Sequence, residues 1–290
     1  MIKTAFTQED AERIVAQYTV TKEPFYKPQG EELELLEKAE SEGMGVGILG
    51  PTGSGKTRLL EYFAWKKKRP HITISGNESV DAMKVTGNVL ILGGEAQFVP
   101  GPAYRAVRTG AHLYFDELLE MNEDVIPVCF PLTDWRRRIE VEDTGEVANA
   151  EEGFFFTFST NPGKQYRRQG KTSDLPPSFL QRCILLDLGY IRGPRGVEII
   201  VKESGIEEKI AVQLDNLAQK VDKMFESQEY SGRLQESVGY HALIKAAKLI
   251  RRGEHPHTAC HHSITLPLSP RRLEVRKAID EIIRDIIIAR

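Results

Sequence analysis

The chain has 290 residues, of which 40% are hydrophobic and 28% charged, with a formal net charge of −3. That length accommodates about two domains with buried cores, and the near-neutral balance excludes a global electrostatic drive toward nucleic acid or an anionic membrane. The three cysteines, Cys129, Cys183 and Cys260, lie far apart, which argues against a disulfide framework and for a reducing compartment.

Residues 1–44 read as a polar helical lead-in, with one piece near Gln8–Gln17 and another near Glu31–Glu42, split by the stretch from Pro24 to Pro28. Met1–Asp10 lacks the apolar centre of a signal peptide. No apolar run approaches the roughly 18–20 residues that span a membrane. The expected location is the cytoplasm, without membrane insertion.

From Val46 onward, strands and helices alternate. The strand candidates are Val46–Leu49, His71–Ser75, Ala111–Phe115, Phe154–Thr160 and Cys183–Leu188. Helical segments between them predict βα units around a mainly parallel sheet. The first strand runs into Gly50-Pro51-Thr52-Gly53-Ser54-Gly55-Lys56-Thr57, a complete G-x-x-x-x-G-K-T phosphate loop, and a helical run from Arg58 to Lys66 follows. The glycines let the backbone turn its N–H groups toward an anion. Lys56 reaches the outer phosphates, Thr57 places its hydroxyl on Mg²⁺, and the helix N-terminus adds partial positive charge. The run Lys66-Lys67-Lys68-Arg69 closes that helix, where cations offset the dipole.

Two segments interrupt the alternation. Residues 85–101 predict a hairpin turning at Gly93-Gly94, and residues 136–153 predict a short strand and turn around the acidic loop Glu142–Glu146. Between them, Ala111–Phe115 ends in the carboxylates Asp116 and Glu117. Asp116 is expected to hold Mg²⁺ through its water shell, and Glu117 to activate water as general base. An acid-rich helix start would have the same composition, but pairing with the phosphate loop favours the catalytic reading.

Phe154–Thr160 reads as a fully buried strand tipped by Asn161-Pro162. An amide there can orient the lytic water and sense the γ-phosphate; a plain Asx-Pro turn is the alternative. Pro176 and Pro177 then start a short helix. Arg182 lies at its end, placed either as a surface arginine or as an arginine finger toward a neighbouring subunit's nucleotide.

After Gly193-Pro194-Arg195-Gly196 the pattern is helical: Val197–Val201 or slightly longer, Glu207–Phe225, Gln235–Arg252 and Pro270–Ile288. The stretch Glu254–His262 carries four histidines and Cys260, but its spacing matches no zinc pattern, so it reads as a polar interhelical loop.

Phosphate loop, acid pair, strand-tip asparagine and late arginine, in this order, resemble the AAA+ ATPases. Gly101–Gly110, Leu132–Arg137 and Ser159–Gly163 narrow the resemblance to the MoxR group and its CbbQ/NirQ/NorQ branch. It covers most of residues 20–190 and, more weakly, the helical C-terminus. The resemblance implies an α/β fold: a P-loop AAA+ core with a central parallel sheet (an αβα sandwich) over residues 45–190, preceded by the lead-in 1–44. The C-terminal all-helical lid then spans 191–290. It implies ATP and Mg²⁺ as ligands, with Gly50, Pro51, Thr52, Gly53, Ser54, Gly55, Lys56, Thr57 and Asp116 binding nucleotide. Thr57 and Asp116 serve the metal, and Glu117, Asn161 and Arg182 serve hydrolysis.

The resemblance further implies a homo-oligomeric ring, usually a hexamer, with a hairpin insert (residues 85–101) facing the pore. A partner with a von Willebrand factor A domain and a client metalloenzyme, Rubisco-like or nitric oxide reductase-like, complete the expectation. Departures are His241, where the family lid carries a sensor arginine, and Asn77–Lys84. Arg233, Arg271 and Arg272 are the alternatives for the sensor, because a neutral histidine does not replace a permanent bidentate cation. Arg136-Arg137-Arg138 is placed either to pair with an acidic neighbour surface or to approach the next subunit's nucleotide. A nucleic-acid-directed motor is disfavoured by the charge and the lack of a basic tail, and a GTPase by the absence of an Asn-Lys-x-Asp motif. A slow nucleotide-switched scaffold stays open because of His241.

Overall fold

A computed structural model describes residues 6–161, 175–227, 234 and 236–288. Met1, Pro162, Gly163, Arg233 and Gln235, named above, lie outside them. The described residues fall into two compact units, one holding 6–50, 56–161 and 175–187, the other 51–55 with 188–227, 234 and 236–288.

The first unit is built on nine strands: β1 (Gly45–Leu49), β2 (His71–Ser75), β3 (Gly87–Leu92), β4 (Glu95–Pro100), β5 (His112–Asp116), β6 (Arg138–Val141), β7 (Glu146–Asn149), β8 (Phe155–Thr160) and β9 (Cys183–Asp187). Five of them form one parallel sheet in the order β2-β5-β8-β1-β9. The parallel sheet expected from the alternation of elements is therefore present. All six residues of β8 are buried, as a strand covered on both faces requires, with the hydroxyls of Thr157 and Ser159 hydrogen-bonded to the Leu113 carbonyl and to Asp116. Phe156, Phe158 and Phe179 pack as tilted or edge-on rings 5.3–6.4 Å apart, beside Phe115 and Phe154 in one core.

The lead-in contains helices Gln8–Tyr18 and Glu32–Ser41. Thr7 caps the first in a capping box with Asp10. The second receives the basic run at the end of helix Lys56–Lys67: Lys66 pairs with Glu37 at 2.8 Å and Lys67 with Glu40 at 2.9 Å.

Two antiparallel hairpins stand beside the main sheet. In β3–β4 the turn residues Gly93 and Gly94 have φ of 62° and 85°, the pair of positive values that a two-residue hairpin turn demands. Its base is held by Phe98, edge-on to Tyr104 at 5.2 Å, while Leu90, Ile91 and Leu92 near the tip are exposed. β6–β7 forms the second hairpin.

A polar line crosses this sheet under full burial. His71 and His112 face each other in register on β2 and β5, with their Nδ1 atoms 3.1 Å apart. Thr157 Oγ1 donates to the Leu113 carbonyl at 3.2 Å, so Nε2–H of His112 donates to Thr157 at 2.9 Å. The Nδ1 of neutral His112 is then the acceptor for Nδ1–H of His71. His71 Nε2 has no hydrogen-bond partner among the described residues, so a second proton there has nothing to receive it. Burial lowers the His71 pKa to about 4. The folded value lies below the ordinary one of about 6.5, so stability is full above pH 6.5 and falls as the pH drops toward 4. Between pH 7.5 and 5.0, His71 alone is expected to cost about 2 kcal/mol. Urea unfolding at the two pH values measures this, and His71→Phe is expected to shallow the slope.

In the second unit, helices Pro194–Ser204, Glu208–Glu226, Tyr240–Arg251 and Leu273–Ile286 enclose an apolar core that includes Ile200, Leu214, Leu217, Val221, Leu243 and Ile279. The helix expected from Gln235 begins only at Tyr240. Residues ahead of it are held extended instead: Arg192 donates to Asp222 at 2.7 and 3.0 Å and to the Val238 carbonyl at 2.7 Å, and Ser237 donates to Asp222.

The polar loop expected after Arg252 is a correction. Pro256–Cys260, a π-helical turn His261–Thr265 and Leu266–Leu268 form a helical segment. It buries Ala259, Cys260, Ser263, Ile264 and Thr265. His261 Nδ1 meets the Asp280 carboxylate at 2.9 Å, and His257 Nε2 the Ile287 carbonyl at 2.8 Å. These histidines fasten the segment to the last helix. Among the described residues no group of three or more His, Cys, Asp or Glu side chains is placed to hold a metal ion.

Candidate nucleotide-binding site

In a parallel sheet the chain enters a loop at each strand's carboxyl end, and ligands bind there. β1, β8 and β5 are consecutive neighbours, so the residues just past their ends converge. β1 leads into the phosphate loop, where Gly53 and Gly55 adopt φ of 77° and 100°. Side-chain-bearing residues rarely tolerate these angles, and here they curl the loop ahead of helix Lys56–Lys67.

Lys56 is 7% exposed. Its Nζ donates to the Gly50 carbonyl at 2.8 Å and to Asn161 Oδ1 at 2.8 Å. Asn161, past the end of β8, turns its other amide atom to Glu117: Nδ2 donates to Oε1 at 3.2 Å. The loop lysine, the strand-tip asparagine and the acid therefore form one hydrogen-bonded chain. Glu117 itself sits at φ 55°, ψ 56°, a left-handed conformation uncommon for a residue with a side chain, and such conformations concentrate at working sites.

Asp116 ends β5. Its Oδ1 accepts from Tyr114 Oη at 2.6 Å and from Ser159 Oγ at 2.9 Å. Tyr114 Oη and Ser159 Oγ are 2.9 Å apart, which closes a triangle, and Ser159 Oγ accepts the Glu117 backbone N–H at 3.0 Å. Tyr114 Oη also lies 3.4 Å from Thr57 Oγ1. Burial, reinforced by the Asp116 carboxylate, raises the Tyr114 pKa, so its phenol keeps its proton. Thr57 and Asp116 offer only hard oxygen donors from either side of one phenol. That donor set fits Mg²⁺, which takes one or two protein oxygens and fills its remaining positions with water and phosphate.

Arg182 is not brought into this group within the chain. It precedes β9, whose Cys183 registers with Gly45 at the start of β1, the opposite end of the sheet from Leu49 and the phosphate loop. A five-residue strand separates those ends by about 13 Å. Arg182 instead pairs with Asp134 at 2.6 Å and lies over the Phe130 ring at 5.1 Å. Asp134 also holds Arg136, at 2.8 Å, and its carboxyl pKa is lowered by the Arg136 hydrogen bond. Arg137 donates to the Phe154 carbonyl at 2.5 Å, and Arg138 pairs with Glu140. Each of the three arginines thus has a partner in its own chain.

Within the second unit, Thr52 and Gly53 meet the lid segment. Tyr190 Oη donates to the Thr52 carbonyl at 2.9 Å, and Tyr240 N–H to the Gly53 carbonyl at 3.3 Å. A Cβ on Gly53 would lie 3.4 Å from the His241 ring, so His241 occupies loop-side space.

Tyr114 and Ser159 escaped the sequence reading. The available signal was polar spacing in buried strands: His112 and Tyr114 on β5, and Thr157 and Ser159 on β8, recur at every second residue and so share one sheet face.

A phosphate loop, an adjacent acid pair and a strand-tip asparagine on a β2-β5-β8-β1-β9 sheet define a nucleotide-binding domain of the AAA class. Residues 45–183 match the AAA domain model of the dynein-related subfamily, and residues 197–286 match the CbbQ/NirQ/NorQ C-terminal model. Protein NorQ of Paracoccus denitrificans is 37% identical over 85% of this chain and 88% of its own length. Protein CbbQ of Hydrogenophilus thermoluteolus is 34% identical over 87% and 91%. The denitrification regulatory protein NirQ of Pseudomonas aeruginosa is 35% identical over 85% and 91%. The chain belongs to the CbbQ/NirQ/NorQ family of AAA proteins.

Proposed function

We propose that this chain is a Mg²⁺-dependent ATPase of the MoxR type that remodels or activates a metal- or cofactor-dependent enzyme. The observation carrying the ATPase is the chain Lys56–Asn161–Glu117 beside Asp116. The phosphate-loop N–H groups and Lys56 bind the β- and γ-phosphates. Bound at Thr57 and Asp116, Mg²⁺ supplies charge neutralisation of the phosphate oxygens. Asn161 aligns the attacking water, and Glu117 takes its proton. When the γ-phosphate draws Lys56 away, Asn161 loses one partner, so the same amide that orients water also reports phosphate occupancy.

Arg182 acts on a neighbouring subunit's nucleotide in a homo-oligomeric ring, which we take to be a hexamer. Its position at the far end of the sheet supports action in trans, and the exposed Trp135 beside Asp134 adds apolar contact to that face. The β3–β4 hairpin, with Leu90, Ile91 and Leu92 exposed near its tip, moves the client. The proposed partner is a von Willebrand factor A domain protein, and the proposed client a metalloenzyme resembling Rubisco or nitric oxide reductase; the likeness to NirQ, a denitrification regulatory protein, supports a client of the second kind. The proposed place of action is the cytoplasm. Separately, no described helix is long and apolar enough to cross a membrane.

Affinity capture of the Glu117→Gln form with ATP, which holds the bound state, is expected to retain a von Willebrand factor A protein and its client metalloenzyme. Recovery of nucleic acid alone, with turnover stimulated by it, would instead support a nucleic-acid motor and overturn this reading.

A further inference from the structure

The candidate site contains a buried phenol to which the hydrolytic scheme assigns no task. Tyr114 lies wholly inside the sheet, with its ring stacked on His71 at 5.9 Å and its hydroxyl aimed at the site. That hydroxyl touches three groups at once: Asp116 Oδ1 at 2.6 Å, Ser159 Oγ at 2.9 Å and Thr57 Oγ1 at 3.4 Å. Asp116 comes from the end of β5 and Thr57 from the helix after the loop. Both side chains have several rotamers, and fixing each costs conformational entropy when a cation is bound. A rigid phenol between them meets that cost during folding instead.

We propose that Tyr114 is a positioning residue that presets the Thr57 hydroxyl and the Asp116 carboxylate for Mg²⁺, with Ser159 relaying the same alignment to the Glu117 backbone. This rests on the Mg²⁺–ATP reading above and deepens it. Hydrogen bonds to a carboxylate fix its orientation, and outer partners of metal ligands typically change metal affinity by about 10–100-fold when removed. Ser159 Oγ donates to Asp116 and accepts from the Glu117 N–H, so the metal side and the water side of the site share one hydroxyl.

Tyr114→Phe removes only the oxygen and keeps the ring against His71, so the fold is expected to persist. Two readouts are taken on the full-length chain: binding of a fluorescent ATP analogue in EDTA and across a Mg²⁺ titration, and ATP turnover across the same titration. Affinity in EDTA is expected to match the unaltered protein. The Mg²⁺ concentration giving half of the metal-dependent gain is expected to rise about tenfold in both assays, with kcat largely restored at saturating Mg²⁺. Ser159→Ala is expected to lower kcat even at saturating Mg²⁺, because it also frees Glu117.

An unchanged Mg²⁺ midpoint in Tyr114→Phe, beside an unaltered protein that responds to Mg²⁺, overturns the proposal. So does weakened binding in EDTA with an unmoved midpoint, which marks Tyr114 as packing only. If the unaltered protein binds the analogue with Mg²⁺ yet releases no phosphate, the hydrolytic reading fails, while the binding midpoint still decides the role of Tyr114.

Discussion

Replacing Glu117 with Gln is expected to lower ATP turnover by at least about 100-fold while leaving nucleotide affinity within a few-fold of the unaltered protein. The substitution is nearly isosteric. Glutamine's amide oxygen still accepts from Asn161 Nδ2, where Glu117 Oε1 now accepts at 3.2 Å, and the backbone N–H keeps its bond to Ser159. What disappears is the ability to take a proton from water. The left-handed backbone at Glu117, φ 55°, is set by the main chain and its partners and is retained. Phosphate release and titration of a fluorescent ATP analogue measure the two quantities. A variant that hydrolyses at the unaltered rate places the base elsewhere.

The second large effect is expected from Lys56→Ala, which removes the buried cation at the loop. The Gly50 carbonyl and Asn161 Oδ1, each at 2.8 Å from its Nζ, lose this donor. The phosphates lose a charge-assisted contact of the kind that contributes about 1.5–3 kcal/mol each. Nucleotide affinity is expected to fall by roughly 10- to 100-fold. A ligand that binds only the folded state raises its melting temperature. ATP with Mg²⁺ is therefore expected to raise the melting temperature of the unaltered protein and of Glu117→Gln, but not that of Lys56→Ala. Equal shifts in all three would exclude Lys56 from the site.

The parts of this site that were legible in the sequence are those where a chemical group interrupts an apolar run. Val46–Leu49 stops at Gly50, Ala111–Phe115 stops at Asp116, and Phe154–Thr160 stops at Asn161. Strands buried on both faces carry mostly apolar side chains, and a carboxylate or amide just past the end stands out against them even where His112, Thr157 and Ser159 lie inside. Strand order was not legible, because nothing in a β-strand's composition names its neighbour. The pairing of β8 between β5 and β1, which joins Asn161 to both Lys56 and Glu117, needed the structure. Tyr114 and Ser159 were hidden for a different reason: each sits inside a strand and passes for core filler unless its spacing is compared across strands.

The segment after Arg252 misled in the opposite direction. Four histidines near a cysteine suggested exposed polar chain, yet every third or fourth residue from Ala259 is small or apolar and faces inward. The histidines serve as fasteners to Asp280 and the Ile287 carbonyl. Arg182 was legible as a residue but not as a location. Only the register Gly45↔Cys183 places it at the sheet end remote from its own phosphate loop, and so makes a neighbouring subunit's nucleotide its proposed target.

The proposed hydrolysis of ATP is assigned to the carboxylates at the end of β5, next to the loop lysine. Its most direct test is phosphate release by the purified chain with ATP, in Mg²⁺ and in EDTA, beside the Glu117→Gln form. The expected result is steady release that requires Mg²⁺ and is nearly absent in Glu117→Gln, although both forms bind nucleotide. Release that persists undiminished in Glu117→Gln, or none from an unaltered protein saturated with Mg²⁺–ATP and supplied with its partner, would contradict it.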